Sequence, residues 1–257
     1  MRVFVAGATG AIGRRLVPQL VERGHDVVAT TSRPERADGL RALGATPVVL
    51  DGLDGAAVGE AVARARPDAI VHQMTAIGGK PDLRHFDRWF AKTNALRTVG
   101  TRHLLAAAQA AGVRRFVAQS YTGWNNERRG GPVKTEADPL DPEPAKEQRE
   151  ALAAIRFVEE AVTAAPLEGI VLRYGNFYGP GEMDAMLALI RKRQFPLVGD
   201  GGGVWSFIHV DDAAAATVAA LEHGRPGIYN VADDEPAPVA EWLPYLAQTL
   251  GAKPPRR

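Results

Sequence analysis

Three glycines, Gly7, Gly10 and Gly13, lie between an apolar run, Val3-Phe4-Val5-Ala6, and a segment whose Ile12, Leu16 and Leu20 recur at helical spacing. A strand that turns through glycines into a helix aims backbone N–H groups at an anion. Gly7 permits the tight turn, Gly10 lets the backbone approach a pyrophosphate, and Gly13 lets the helix sit close to the sheet. The pattern predicts a dinucleotide-binding turn built from Gly7, Thr9, Gly10, Ala11, Ile12 and Gly13, with Gly-x-x-Gly-x-x-Gly in place of the general Gly-x-Gly-x-x-Gly. About twenty residues on, a protein that takes NAD usually carries a carboxylate for the ribose hydroxyls. Here the stretch is Thr30-Thr31-Ser32-Arg33. With no carboxylate to repel a 2′-phosphate, and with Arg33 and Arg36 available to pair with one, Thr31, Ser32 and Arg33 favour NADP(H), with NAD(H) as the alternative. The competing reading leaves both arginines solvated at a helix start.

Composition narrows the rest. The 257 residues are 46% hydrophobic and carry a net charge of +1 with acids and bases dispersed, so no basic stripe points to nucleic acid and no polybasic segment to a membrane surface. The expected partner is a small molecule. No cysteine is present, which excludes disulfides and thiol catalysis and fits a reducing compartment. The start runs directly into a strand, and no apolar run is long enough to span a bilayer, so the expected location is cytoplasmic. Scattered histidines at no ligand spacing predict no metal site.

The elements that must position these groups alternate between strand and helix, the signature of parallel βαβ units. Expected strands are Asp26–Thr30, Thr46–Leu50, Asp68–His72, Arg115–Gln119, Glu168–Arg173 and Ile228–Val231, with a short pair around Leu197 and Phe207. Expected helices are Glu35–Leu43, Asp54–Ala65, a long one from about Phe86 to Ala111, Lys146–Ala164, Met183–Arg193, Asp212–Glu222 and Val239–Leu250. Tyr121–Pro144 is too long for an ordinary connection, and such loops usually serve a site; Gly175–Gly181 reads as a second loop. The expected fold class is α/β, a doubly wound parallel sheet (Rossmann fold) with a small C-terminal substrate lobe. Within a single unit, residues 1–174 with 205–231 would bind the dinucleotide, and residues 175–204 with 232–257 would form the lobe.

Several dispersed motifs then occur in one order: the glycine turn, Asp51-Gly52-Leu53, Val71-His72-Gln73-Met74, Asn94, Leu172-Arg173-Tyr174-Gly175-Asn176-Phe177-Tyr178-Gly179-Pro180-Gly181 and Phe207-Ile208-His209-Val210-Asp211-Asp212. Over nearly its whole length the chain resembles the extended short-chain dehydrogenase/reductases, the NAD-dependent epimerase/dehydratase family. The resemblance implies that Asp51, Gly52 and Leu53 lie near the adenine. It likewise implies that His72, Gln73, Met74 and Thr75 line the cofactor path with Asn94, and that Tyr174, Gly175, Asn176 and Phe177 lie near the nicotinamide. Family members often pair through the helices after the fourth and fifth strands, so a homodimer is an open expectation. Proteins like this commonly continue beyond such a last helix, and the sequence reads as a form truncated at its C-terminus, with part of the substrate wall absent.

The resemblance fails at its chemical centre. The family uses a Tyr-x-x-x-Lys pair in which the lysine lowers the phenol's pKa so that it can exchange a proton as hydride moves. Counted back from Glu159, the two positions fall on Ala151 and Ile155, and no tyrosine occurs between Tyr121 and Tyr174. The family's catalytic Ser or Thr aligns with Tyr121 or Thr122, next to Ser120. Tyr121 is the natural substitute acid, with Ser120 and Thr122 beside it; the competing reading packs its ring under the long loop. His209 reads as structural, its neighbouring acids starting a helix. Lys134 and Lys146 read as solvated or as local positive charge, and Trp124 and Trp205 as core or pocket wall. The leading function is NADP(H)-dependent reduction of a small organic substrate by a divergent active site. The alternatives are a non-catalytic NADP(H)-binding sensor and a non-redox enzyme on the same scaffold.

Overall fold

The computed structural model describes residues 1–77, 85–131 and 133–257. The strands β1 (Arg2–Ala6), β2 (Asp26–Thr31), β3 (Thr46–Val49), β4 (Ala69–His72), β5 (Arg115–Tyr121), β6 (Glu168–Tyr174) and, later in the chain, β10 (Gly227–Val231) form one sheet. Its seven strands run in the order β10-β6-β5-β4-β1-β2-β3, and every pairing is parallel. Parallel strands are covered on both faces, and β1 shows why its residues are apolar without alternation. Val3 and Val5 enter a cluster with Leu16, Val17 and Leu20 of α1 (Gly13–Glu22) and with Ala213, Ala214 and Val218 of α8 (Val210–His223). Phe4 and Ala6 face the other way, into Val58 and Val62 of α3 (Gly55–Ala65), Leu104 of α5 (Thr101–Ala110) and Val158 of α6 (Arg149–Ala164). Leu16 and Leu20 are fully buried, each contributing about 1.5–3 kcal/mol relative to exposure. This is the doubly wound sheet expected from the sequence.

Order along the sheet reverses between β1 and β4, so the connections that leave their carboxyl ends run to opposite faces and open a crevice above the paired strands. Alternation on the neighbouring strands decides which side chains face which helices. In β5 and β6, Ser120 and Arg173 share a face with Phe116, Ala118 and Val171 and so meet α6, whereas Leu172 and Tyr174 face α8. On α6, Glu159 takes Arg173 as a bidentate partner, at 2.8 Å from Nε and 2.6 Å from Nη2, and accepts the Ser120 hydroxyl at 2.8 Å. A buried ion pair this well hydrogen-bonded fixes helix to sheet, and removing one partner alone would strand a charge.

Several expected elements differ. The predicted helix after β2 is a short 3-10 turn, Pro34–Arg36, followed by α2 (Ala37–Ala42), because Pro34 fixes the first turn. The long helix of 86–111 is α4 (Phe86–Ala95) and α5 joined by a π-helical turn, Leu96–Gly100. The predicted loop Gly175–Gly181 contains a strand, β7 (Asn176–Tyr178). Leu197 is in no strand. It lies on a connection where Gly199 and Gly201 hold φ of +60° and +74°, outside extended geometry. After α7 (Asp184–Arg191), β8 (Val204–Trp205) pairs antiparallel with β11 (Ala237–Pro238), and β9 (Phe207–His209) pairs parallel with β7. The last helix, α9 (Val239–Thr249), joins α7 in a separate apolar cluster of Ile190, Leu197, Leu243 and Ala247. Strands of two or three residues carry no readable alternation, and their partners are distant in sequence.

His72, expected along the cofactor path, instead closes the core behind it. Its Nδ1 accepts the Met74 N–H at 3.2 Å and its Nε2 lies 3.0 Å from Thr101 Oγ1, which in turn donates to the Arg97 carbonyl. Burial is the main reason its pKa falls from 6.5 to about 4; Arg97 adds to that, while a backbone hydrogen bond near Leu96 opposes it. Between those values the unfolded chain binds the proton and the folded protein does not. Stability is therefore complete above pH 6.5 and falls as pH drops toward 4, by up to about 3 kcal/mol. Thermal melts across that window are expected to show the decline, and His72→Asn to flatten it; an unchanged slope in the variant would assign the effect to other groups.

Candidate functional site

At the mouth of the crevice, Gly7 holds φ of +90° and donates its N–H to Thr30 Oγ1 at 3.1 Å. A Cβ at Gly7 would lie 2.7 Å from the Gln73 backbone, and one at Gly13 would lie 2.5 Å from Ala8. Those two glycines serve the fold. Gly10 differs, since its φ is not left-handed and the nearest atom to an added Cβ is the Gly7 carbonyl at 3.4 Å. The protein itself has room for a side chain there; a ligand seated against the turn does not, which is the use of a glycine beneath a pyrophosphate. α1 begins three residues later, at Gly13, and Ile12 before it is buried.

A cavity of about 220 Å³ opens from this turn and is lined by Thr31, Ser32, Arg33, Arg36, Asp51 and Gly52, and on its far side by Gln73, Met74 and Thr75. Thr9 Oγ1 lies 3.3 Å from Thr31 Oγ1, and Arg36 donates to the Thr9 carbonyl at 3.3 Å, so both guanidinium-bearing residues flank the end of β2. Asp51 turns a carboxylate oxygen to the Leu53 N–H at 3.1 Å, and Leu53 packs on the core. Gly52 has no room for a Cβ because Met74 Sδ fills that place. Deeper in, the side-chain amides of Gln73 and Asn94 are buried with no well-formed hydrogen bond on either N or O among the described residues, although Gln73 stands close enough to the Tyr174 hydroxyl to pull its pKa down. Two orphaned amides cost several kcal/mol in a finished core and mark a surface built for a polar ligand. Glycine turn, orphaned amides and flanking arginines together fit a dinucleotide.

The groups expected to do chemistry are only partly brought together. Ser120 is 2% exposed and spends its hydroxyl on Glu159, which removes it from the candidate catalytic set; its place on the α6 face of β5 is the reason. Tyr174 is 1% exposed, with its hydroxyl 2.7 Å from Thr217, so its side chain belongs to the core and only its backbone reaches the crevice end. Burial pushes that phenol upward. Thr122 is half-buried and donates its N–H to the Tyr174 carbonyl at 2.9 Å. Gly175 has no room for a Cβ beside the Ser206 carbonyl, and Phe177 packs against the Tyr174 ring. Ala151 and Ile155 are buried apolar residues of α6.

Tyr121, the last residue of β5, donates to Asn176 Oδ1 at 3.1 Å, and Asn176 Nδ2 donates to the Ser206 carbonyl at 3.1 Å, which fixes the amide. Burial raises the Tyr121 pKa to about 12 against the opposing pull of Asn176 and of Arg97. The phenol is neutral and its proton points at Asn176. Arg97 is the group that the sequence reading missed. It is 5% exposed, with a pKa lowered by burial to about 10 and supported by Tyr121 and Glu159. Nothing in a helical pattern marks a residue that a π-helical turn rotates inward. His209 caps α8 through Nδ1, accepting the Asp211 N–H at 3.3 Å, as its structural reading expected. Trp205 packs with Trp242 at 5.0 Å, and Trp124 with Phe86 at 5.7 Å. Among the described residues no group of three metal-ligating side chains forms, and no helix is long and apolar enough to cross a membrane.

The sequence profile of the NAD dependent epimerase/dehydratase family matches residues 3–232. The chain belongs to that family. It is 47% identical to the 3-diazoavenalumate denitrifying reductase of a Streptomyces species, over 100% of this chain and 84% of that protein. It is 30% identical to the 2-alkyl-3-oxoalkanoate reductase of Stenotrophomonas maltophilia, over 98% of this chain and 76% of that protein. Among solved structures, the UDP-glucose 4-epimerase of Thermus thermophilus in complex with NAD superimposes with a TM-score of 0.78 at 26% identity, covering 100% of this chain and 86% of that one. Family and neighbour alike support a nucleotide cofactor. Gly10→Ala is expected to leave the melting temperature within a few degrees while weakening dinucleotide binding about tenfold or more, read by calorimetric titration. Gly13→Ala is expected to lower the melting temperature, because its Cβ meets backbone.

Proposed function

We propose that the protein is an NADP(H)-dependent reductase of a small organic substrate that carries its own activation. The observation that carries this reading is the crevice chemistry: α6 offers Ala151 and Ile155 where the family's acid–base pair is expected, and the phenol of Tyr121 has committed its proton to Asn176. Arg33 and Arg36, with no carboxylate at the end of β2, favour a 2′-phosphate and hence NADP(H) over NAD(H). Gly7, Thr9, Gly10, Ala11 and Gly13 would hold the pyrophosphate. Asp51 to Leu53 would flank the adenine, and Gln73, Met74, Thr75, Asn94 and Asn176 would line the way to the nicotinamide. When bound, the reduced nicotinamide supplies a hydride.

What remains is where a proton comes from. Reduction of a carbonyl makes an alkoxide that must be protonated as it forms, which is why an acid is usually placed there. A diazonium carbon that gains a hydride forms its C–H bond as its C–N bond breaks, and that bonding pair leaves with dinitrogen. No proton is exchanged, and the protein's task reduces to holding and orienting the substrate and excluding water. The relative named for denitrifying a diazo compound supports this substrate class. Tyr121, with Thr122 beside it, then orients the substrate; in carbonyl reduction the same phenol would serve as the acid.

The experiment follows NADPH absorbance and headspace dinitrogen with an aryl diazonium panel, against enzyme-free controls, beside a panel of ketones. The expected outcome is one dinitrogen per NADPH, with Tyr121→Phe within about tenfold of the parent rate. Loss of turnover in Tyr121→Phe on ketones alone would support the carbonyl chemistry instead, and tight NADPH binding with no turnover on either panel would support the sensor. Arg33→Ala is expected to weaken NADPH about tenfold, roughly 1.4 kcal/mol, and to leave NADH unchanged.

A further inference from the structure

Beside Tyr121, charge does not balance. Glu159 is the carboxylate that acts on Arg97, yet both of its oxygens are already taken by Arg173, and one of them also by Ser120. Among the described residues no carboxylate lies within 4.0 Å of Arg97, and its guanidinium donates no hydrogen bond to any of them. The guanidinium nitrogens are not among the fully enclosed unpartnered atoms, although the residue is 95% buried. A cation in that state is costly unless something completes it. The π-helical turn that carries it packs against α6 beside Tyr121. Next to Tyr121 stands a set of half-buried rings: Trp124 at 6.2 Å, Phe86 at 5.7 Å from Trp124, and Phe90 stacked on Phe86 at 4.4 Å.

We infer that Arg97 is the substrate-recognition residue of the crevice, that it pairs with a carboxylate or phenolate of the substrate, and that the aromatic set beside Tyr121 makes the preferred substrate a planar organic anion. This rests on the reading of the crevice as a substrate site and names the class of molecule it takes. The arrangement separates two tasks, since Arg97 supplies affinity through a charge-assisted bidentate contact while the rings supply a flat apolar wall.

The test is calorimetric titration of the NADP+-saturated protein and of the free protein with 4-hydroxycinnamate and with its methyl ester. The acid is expected to bind at least tenfold tighter than the ester, Arg97→Gln to abolish that ratio, and Arg97→Lys to restore part of it. Because the variant removes a charge that has no ion-pair or hydrogen-bond partner among the described residues, Arg97→Gln is expected to melt no lower than the parent and to bind NADP+ equally well. Equal binding of acid and ester by the parent, binding of neither, or an acid preference that survives in Arg97→Gln overturns the inference. Failure of the reductase reading is seen separately, as NADPH oxidation that never occurs while the acid-to-ester ratio stands.

Discussion

Two places where a methyl group cannot fit set the geometry of this molecule. The backbone at Gly7 lies so close to Gln73 that β1 and β4 meet edge to edge at their carboxyl ends, and the contact of Gly13 with Ala8 draws α1 down onto the same corner. Everything that gives the crevice its shape hangs on those contacts. The threonines of β2 reach the turn because β1 ends where it does, and Met74 fills the space at Gly52 because β4 does. A close-packed interior transmits such a constraint without slack. Gly10 stands apart from this system, since the fold has room at that position.

The sequence revealed the sheet because parallel strands buried on both faces leave continuous apolar runs, and β1 and β6 are legible for that reason. It revealed the glycine turn because the requirement there is steric and local. What it hid is non-local. The pairing of β7 with β9 joins segments about thirty residues apart through three residues each, too few for any periodicity. Ser120 and Tyr174 carry functional side chains in a suggestive stretch, yet one is bound by Glu159 and the other by Thr217, partners that only the folded chain brings near. Arg97 was invisible because helical spacing assumes an unbroken α-helix.

Polar groups beneath the crevice fall into two kinds. His72, Thr101, Ser120, Glu159 and Arg173 are enclosed and linked by hydrogen bonds, so they fix β4, β5 and β6 to α5 and α6. Gln73 and Asn94 are equally buried with both amide atoms unpartnered, and Arg97 has no ion pair among the described residues, whereas in the first kind Arg173 leaves Nη1 alone unpartnered. The division separates polar residues that hold the scaffold from polar residues that wait for a ligand, and each member of the second kind lies on an element that ends or turns at the crevice. Stability is given up there for binding, the usual direction of exchange at a functional surface.

The π-helical turn at Leu96–Gly100 has a further significance at the level of the gene. A wide turn inside a helix holds one residue more than the α-helical path needs, so losing a single codon there would restore α geometry while α4 and α5 keep their own packing. Residues before and after the lesion would stay in place, but the side chain at Arg97 would swing by about 100° around the axis and leave its place beside Tyr121. On the inference that Arg97 recognises the substrate, selectivity would hang on one reading-frame-neutral triplet that could be added or erased without rebuilding the fold.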